Sequence, residues 1–170
     1  KTTSCLVNPR ACHETMLNYE PTTSPKSVAV IGAGPAGLAY STVAAERGHK
    51  VILFDAADEI GGQFNLAKRV PGKEEFHETL RYYNKMLDKL DVDVRLGERV
   101  SAADLQGQGF DHVVVATGIT PRVPDIKGID HPMVMGYVEA IMGRKPIGKK
   151  VAVVGAGGIG FDVTDLITHE

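Results

Sequence analysis

The chain has 170 residues, 43% of them hydrophobic and 24% charged, enough to bury a core and to suit one domain or a little more. A formal net charge of −2 with scattered lysines and arginines gives no basic field for nucleic acid. No apolar run approaches the roughly 20 residues of a membrane span. The start carries no signal-peptide pattern, and two cysteines are too few for a disulfide scaffold, so a cytoplasmic setting is the expectation.

Residues 1–26 show no sustained periodicity and close on Pro21, Thr22, Thr23, Ser24 and Pro25, a linker-like stretch. Cys5 and Cys12 lie in this opening, and on residue type alone they read as free buried thiols. Cys12 and His13 are adjacent, with no second Cys/His pair at finger spacing, which argues against zinc and leaves His13 as a packing residue.

A βαβ unit follows: strand 27–31, helix 35–47, Gly48 as its stop, and strand 50–54, with a right-handed crossover. Small and aliphatic Leu38, Val43, Ala44 and Ala45 suit a helix lying on a sheet. The joint is Val-Ala-Val-Ile-Gly-Ala-Gly-Pro-Ala-Gly, residues 28–37. Gly32 permits a tight turn, Gly34 lets backbone approach phosphates, and Gly37 lets helix and sheet pack closely. A helix starting near Pro35 aims free N–H groups and a positive dipole end at a pyrophosphate. Asp55, about 20 residues further on, ends the second strand where a carboxylate can accept from ribose hydroxyls.

Beyond it, Glu-Ile-Gly-Gly-Gln-Phe at 59–64 pairs Gly61 with Gly62, which reads as a close backbone approach or as a plain turn. Phe76, Leu80, Tyr83, Leu87 and Leu90 recur at three- and four-residue steps, so 73–90 is an amphipathic helix with its aromatic residues in the core. Residues 92–96 read as a short strand, 104–109 as a polar loop and 110–116 as a buried strand. The carboxyl end of that last strand places Ala116, Thr117 and Gly118 beside a dinucleotide, against the competing reading of a strand-ending turn. Residues 121–132 are proline-rich and irregular, and 137–143 suit a short helix.

The opening pattern then returns. Residues 150–154 read as a strand, Gly155, Gly157, Gly158 and Gly160 as a second strand-to-helix turn, and Phe161, Val163 and Ile167 as the start of its helix. Glu170 comes before a second strand and its charged residue, which reads as the truncated start of a second nucleotide domain. The fold class is therefore α/β: a Rossmann-like domain for a flavin or nicotinamide dinucleotide with a parallel sheet core, then the truncated start of a second Rossmann-like nucleotide domain. The division is a connector over 1–26, the first nucleotide domain over 27–126, and linker plus second-domain start over 127–170.

Two such motifs, the first followed by Gly61-Gly62-Gln63 and Ala116-Thr117-Gly118, resemble the two-dinucleotide flavoprotein reductases. That resemblance implies FAD at the first turn and NADP(H) at the second. Finer stretches narrow it: Cys5-Leu6-Val7-Asn8-Pro9-Arg10-Ala11-Cys12-His13-Glu14, Gly61-Gly62-Gln63-Phe64-Asn65-Leu66-Ala67-Lys68, and Pro71-Gly72-Lys73-Glu74-Glu75-Phe76. Over essentially its whole length the chain resembles the bacterial NADPH-dependent 2,4-dienoyl-CoA reductases, relatives of trimethylamine dehydrogenase and the old-yellow-enzyme-like iron–sulfur flavoproteins.

The resemblance implies a relay used in β-oxidation of unsaturated acyl-CoA. Electrons pass from NADPH through FAD and a 4Fe-4S cluster to FMN in a TIM barrel, which is not in this sequence, and FMN reduces the 2,4-dienoyl-CoA. Gly32, Gly34, Pro35, Ala36 and Gly37 would cradle the FAD pyrophosphate, Asp55 would take the ribose, and Gly62 and Gln63 would lie near the flavin-side half. Lys68 or Arg69 would offset phosphate charge, or else be plain solvated side chains. Gly155, Gly157, Gly158 and Gly160 would be the NADPH phosphate positions. Cys5 would be the last of four cluster ligands, with Cys12 outside the set; the other three thiolates are not in this sequence, and no catalytic residue can be nominated. The implied partners are the barrel, the rest of the NADPH domain and the acyl-CoA, with no nucleic acid or membrane. A related amine dehydrogenase or enoate reductase, or a non-redox dinucleotide-binding module, is the alternative.

Overall fold

The computed structural model describes residues 3–5 and 7–169. Its centre is a parallel sheet in the order β3-β2-β1-β4, with β1 at Ser27–Ile31, β2 at Lys50–Phe54, β3 at Asp93–Arg95 and β4 at His112–Val115. The helices are α1 (Pro35–Glu46), α2 (Phe64–Ala67), α3 (Phe76–Lys89), α4 (Ala102–Leu105), α5 (Tyr137–Ile141) and α6 (Gly158–Thr168). The α/β Rossmann-like fold read from the sequence is the one found.

Strand register follows from the side-chain alternation. Val28 lies opposite Val51 and Val30 opposite Leu53, so their side chains share one face. That face meets Leu38 and Ala44 of α1 and Leu80, Tyr83 and Leu87 of α3 in one buried cluster. On the other face Ala29 and Phe54 are buried, with Phe110 standing edge-on to Phe54 at 6.4 Å between ring centroids. The helix-period apolar stripe of α3 is why it docks: Leu80, Tyr83 and Leu87 point inward while Glu78 and Arg81 pair at 2.6 Å in solvent.

The linker-like stretch is held down. Thr22 N–H donates to Arg47 O at 2.8 Å, Arg47 Nε donates to Glu20 O at 3.2 Å, and Lys26 N–H donates to His49 Nδ1 at 3.2 Å. α1 ends at Glu46, with Gly48 at φ +92° as the expected stop. α3 starts at Phe76 rather than 73, after the turn through Gly72 at φ +77°. The expected 92–96 strand narrows to β3, and the expected 137–143 helix stops at Ile141.

Four sequence expectations need correction. Residues 110–116 were expected to be a buried strand, yet β4 is an edge strand with Val113 47% and Val115 74% exposed. It pairs with β1 on one side, and among the described residues nothing pairs with its other edge. Residues 150–154 were expected to be a strand, but residues 151–156 join no ladder, because a strand needs a partner and none is described there. The loop expected over 104–109 begins as α4, nucleated by a capping box in which Ser101 and Asp104 bond reciprocally. The Ser101 hydroxyl and N–H hold the Asp104 carboxyl below its usual range. Finally, Cys5 and Cys12 are exposed free thiols, not buried ones.

Leu53, the fourth residue of β2, is fully buried. Leu53→Ala should cost about 2–5 kcal/mol of stability, read as a lower urea midpoint with unchanged slope; a midpoint within error of the parent would refute the packing described.

Candidate dinucleotide site

The first glycine turn is built by contacts that leave no room for side chains. Gly32 sits at φ +110°, and a Cβ there would collide with the carbonyl of Ala116. Its N–H donates to Phe54 O at 2.7 Å, and Ala116 N–H donates to Ile31 O at 2.8 Å, so the turn is pinned to β2 and to the end of β4. A Cβ on Gly37 would collide with the carbonyl of Gly32, which is why α1 can start directly beneath the turn.

Gly34 is the N-cap of α1, with Pro35 at the first helical position, no side-chain cap and no acid in the first turn. The N–H groups of Ala36 and Gly37 therefore lack intrahelical acceptors, and Pro35 has none to satisfy. Helix dipole and free donors point outward together, the physical requirement for binding a phosphate.

The loop after β2 closes over this end. Gly61 N–H donates to Ala33 O at 2.8 Å. A Cβ on Gly62, at φ +53°, would lie 3.0 Å from Gly34 Cα. The paired glycines are thus a backbone-on-backbone approach, not a plain turn. Asn65 holds the loop from behind: its Nδ2 donates to Ile60 O at 2.9 Å, and its Oδ1 accepts from Lys68 Nζ at 2.8 Å.

Asp55 is engaged by the turn itself. Its Oδ2 accepts from Ala33 N–H at 2.5 Å and its Oδ1 from Ala57 N–H at 2.8 Å. The carboxylate staples the turn to the end of β2, and its remaining lone pairs are available to a hydroxyl donor.

Gly32, Gly34, Gly37, Asp55, Gly62, Ala116 and Thr117 are thus brought around one turn, and Pro35 and Ala36 open the helix behind it. Gly118, at φ +73°, touches nothing within 4 Å of a built Cβ. Gln63 caps α2 and accepts from Tyr137 Oη at 3.5 Å. Lys68 is taken up by other partners, lying between Asn65 and Glu59, whose carboxylate is 3.6 Å away. Arg69 is exposed and has no side-chain partner among the described residues. Sequence reasoning did not single out Ala33, Asn65 or Tyr137; no spacing rule marks a backbone group or an amide that acts through a loop.

The second turn repeats the first. Gly155 is at φ +122°, Gly157 is the uncapped N-cap of α6, and a Cβ on Gly160 would collide with the carbonyl of Gly155. Gly158 takes the place that Pro35 holds in the first turn. No acid lies in the first turn of α6. Among the described residues no strand end lies against Gly155 as the end of β4 lies against Gly32.

Cys5 has its thiol lowered below the ordinary range by the backbone N–H groups of Asn8 and Val7. Among the described residues no three His, Cys, Asp or Glu are grouped to hold a metal ion. A 4Fe-4S cluster takes four thiolates, and these residues do not form such a site.

Residues 26–169 match the pyridine nucleotide-disulphide oxidoreductase family. The chain belongs to that family. Its fold is a Rossmann-like FAD/NAD(P)-binding one, in agreement with the two turns. The chain is 36% identical to a metal reductase of Desulforamulus reducens, across 100% of this chain and 26% of the relative. It is 44% identical to an N,N-dimethylglycine/sarcosine dehydrogenase of Chromohalobacter salexigens, across 62% of this chain and 15% of that protein. Among solved structures, 2-naphthoyl-CoA reductase bound to 2-naphthoyl-CoA superposes with a TM-score of 0.90 at 34% identity, over 96% of this chain and 25% of that one. This oxidoreductase domain therefore spans about a quarter or less of these relatives, two reductases and a dehydrogenase. Among the described residues no helix is long and apolar enough to cross a membrane.

Replacing Asp55 with Asn puts an amide donor against one of two backbone donors. Asp55→Asn should lose about 1–3 kcal/mol of stability without any nucleotide present, measured by chemical denaturation, and should weaken dinucleotide binding in calorimetry. Unchanged stability would refute the staple.

Proposed function

We propose that the first glycine turn holds FAD and the second holds NADPH, in the electron-transfer part of an NADPH-dependent 2,4-dienoyl-CoA reductase of the cytoplasm. The observation that carries the nucleotide assignment is the construction of the first turn, repeated in its local geometry by the second. The first is closed by Asp55, by Gly62 against Gly34 and by Ala116, a backbone cradle suited to a resident cofactor. The second repeats that phosphate-binding helix end, with Gly155 at positive φ and Gly157 as an uncapped N-cap, the same chemistry offered to a second dinucleotide.

Within this reading the chain's own residues bind and orient. Ala36 and Gly37 donate N–H groups to the FAD pyrophosphate, Pro35 sets the helix start, and Asp55 accepts from the ribose while it holds the turn. Gly62 and Gln63 lie on the flavin side, and Thr117 and Gly118 border the cleft. Gly155, Gly157, Gly158 and Gly160 admit the NADPH phosphates. FAD, when bound, supplies acceptance of an electron pair from nicotinamide and its release in single steps. Lys68 steadies the loop, and Arg69 is the side chain free to offset phosphate charge.

The acyl-CoA assignment is supported by the resemblance of residues 5–14, 61–68 and 71–76 and by the likeness to a reductase whose ligand is a CoA thioester. For a protein of its relatives' length, the proposal includes an FMN-bearing TIM barrel and a cluster to which Cys5 contributes one thiolate. The 44% identity to a dimethylglycine/sarcosine dehydrogenase favours a second reading, an amine dehydrogenase on the same architecture.

The full-length protein, purified under anaerobic conditions, should be yellow, should bleach with NADPH, and should then reduce a 2,4-dienoyl-CoA. Bleaching by a secondary or tertiary amine but not by NADPH would select the amine dehydrogenase. Bound dinucleotide without any bleaching would select a non-redox module.

A further inference from the structure

Between residues 27–126 and residues 127–169, two side-chain pairs are found among the described residues. One is the 3.5 Å contact of Tyr137 Oη with Gln63. The other is much stronger in geometry: Lys73 Nζ lies 2.7 Å from Asp162 Oδ1 and 2.6 Å from Oδ2. One ammonium engages both oxygens of one carboxylate, 89 positions apart in sequence, with side chains 38% and 28% exposed.

Both ends of this pair are attached to something that matters. Lys73 follows the Pro71-Gly72 turn, and its N–H donates to the carbonyl of Val70 at 3.1 Å. Val70 is 2% exposed and closes the same loop that presses Gly62 onto Gly34. Asp162 lies one helical turn beyond Gly158, where α6 presents its free N–H groups. A displacement of Asp162 is therefore a displacement of the second glycine turn. α6 also packs on α5, whose Ala140 and Ile141 are buried, so the ion pair adds direction to a contact that is otherwise apolar.

We propose that Lys73 and Asp162 are positioning residues: a bidentate latch that fixes the bearing of the second nucleotide turn relative to the first site. The latch governs how fast a hydride passes from the nicotinamide, which is oxidised, to the flavin, which is reduced. It does not set the affinity of either cofactor, because neither side chain reaches a glycine turn. The redox half of this proposal rests on the FAD and NADPH assignment above.

The test compares Lys73→Met, Asp162→Asn and the charge-reversed double variant Lys73→Asp/Asp162→Lys in the full chain. Without cofactors, amide hydrogen exchange across residues 137–168 should quicken about two- to fivefold in each single variant, the scale of a partly exposed pair, and should return toward the parent in the reversed pair. With FAD and NADPH, the anaerobic rate of flavin reduction at saturating NADPH should fall by a similar factor, be restored by the reversal, and leave the NADPH dissociation constant unchanged. Exchange that stays at the parent rate in both single variants would overturn the latch. Quickened exchange with an unaltered reduction rate would overturn its role in transfer. A parent protein that binds neither cofactor would instead refute the assignment above, while the exchange measurement still decides the latch.

Discussion

Everything at the first site depends on one steric constraint: four backbone segments meet at a point where no Cβ fits. Gly32 lies against Ala116, Gly37 against the Gly32 carbonyl, and Gly62 against Gly34. Close packing makes this all-or-none, since a single methyl in such a contact has to displace main chain. The consequence is electrostatic. With side chains excluded, what faces the cleft is peptide N–H and the positive end of α1, both of which favour an anion.

The charged groups are arranged to protect that property. Asp55 is the carboxylate that holds the turn, and it spends one oxygen on the N–H of Ala33 and the other on Ala57, so part of its charge is taken up by the fold. Lys68, the cation that sequence reasoning placed near the phosphates, is diverted to Asn65 and Glu59, where it braces the loop carrying Gly61 and Gly62. What this turn offers an anion is then backbone geometry, kept in register by the loop, more than a free side-chain charge.

The second turn separates local from tertiary causes. It reproduces the positive φ, the uncapped N-cap and the Gly160-to-Gly155 contact of the first, although residues 151–156 pair with no strand. Glycine placement alone is sufficient for the turn. The cradle is another matter: at the first turn it takes Asp55, Gly62 and Ala116, which distant segments bring against it. Both turns lie within residues 26–169, the span that matches the pyridine nucleotide-disulphide oxidoreductase family.

Local chemistry was legible in the sequence. The period-2 runs at β1 and β2, the stripe of α3, the order strand-turn-helix-strand-acid, and the positions where only glycine fits all follow from steric rules that act within a few residues. What those rules cannot reach is partner choice. Whether 110–116 is central or at an edge, whether 150–154 is paired, and whether Cys5 is buried depend on what lies alongside, and each of those three expectations was corrected. The site divides the same way: Gly32, Gly34, Gly37 and Asp55 were found by spacing, whereas the diversion of Lys68, the brace of Asn65 and the pairing of Lys73 with Asp162 arise only when distant segments meet. Hydrogen bonds and ion pairs between segments are short-ranged, and sequence separation carries no record of them; the tertiary fold decides which groups come within about 3 Å.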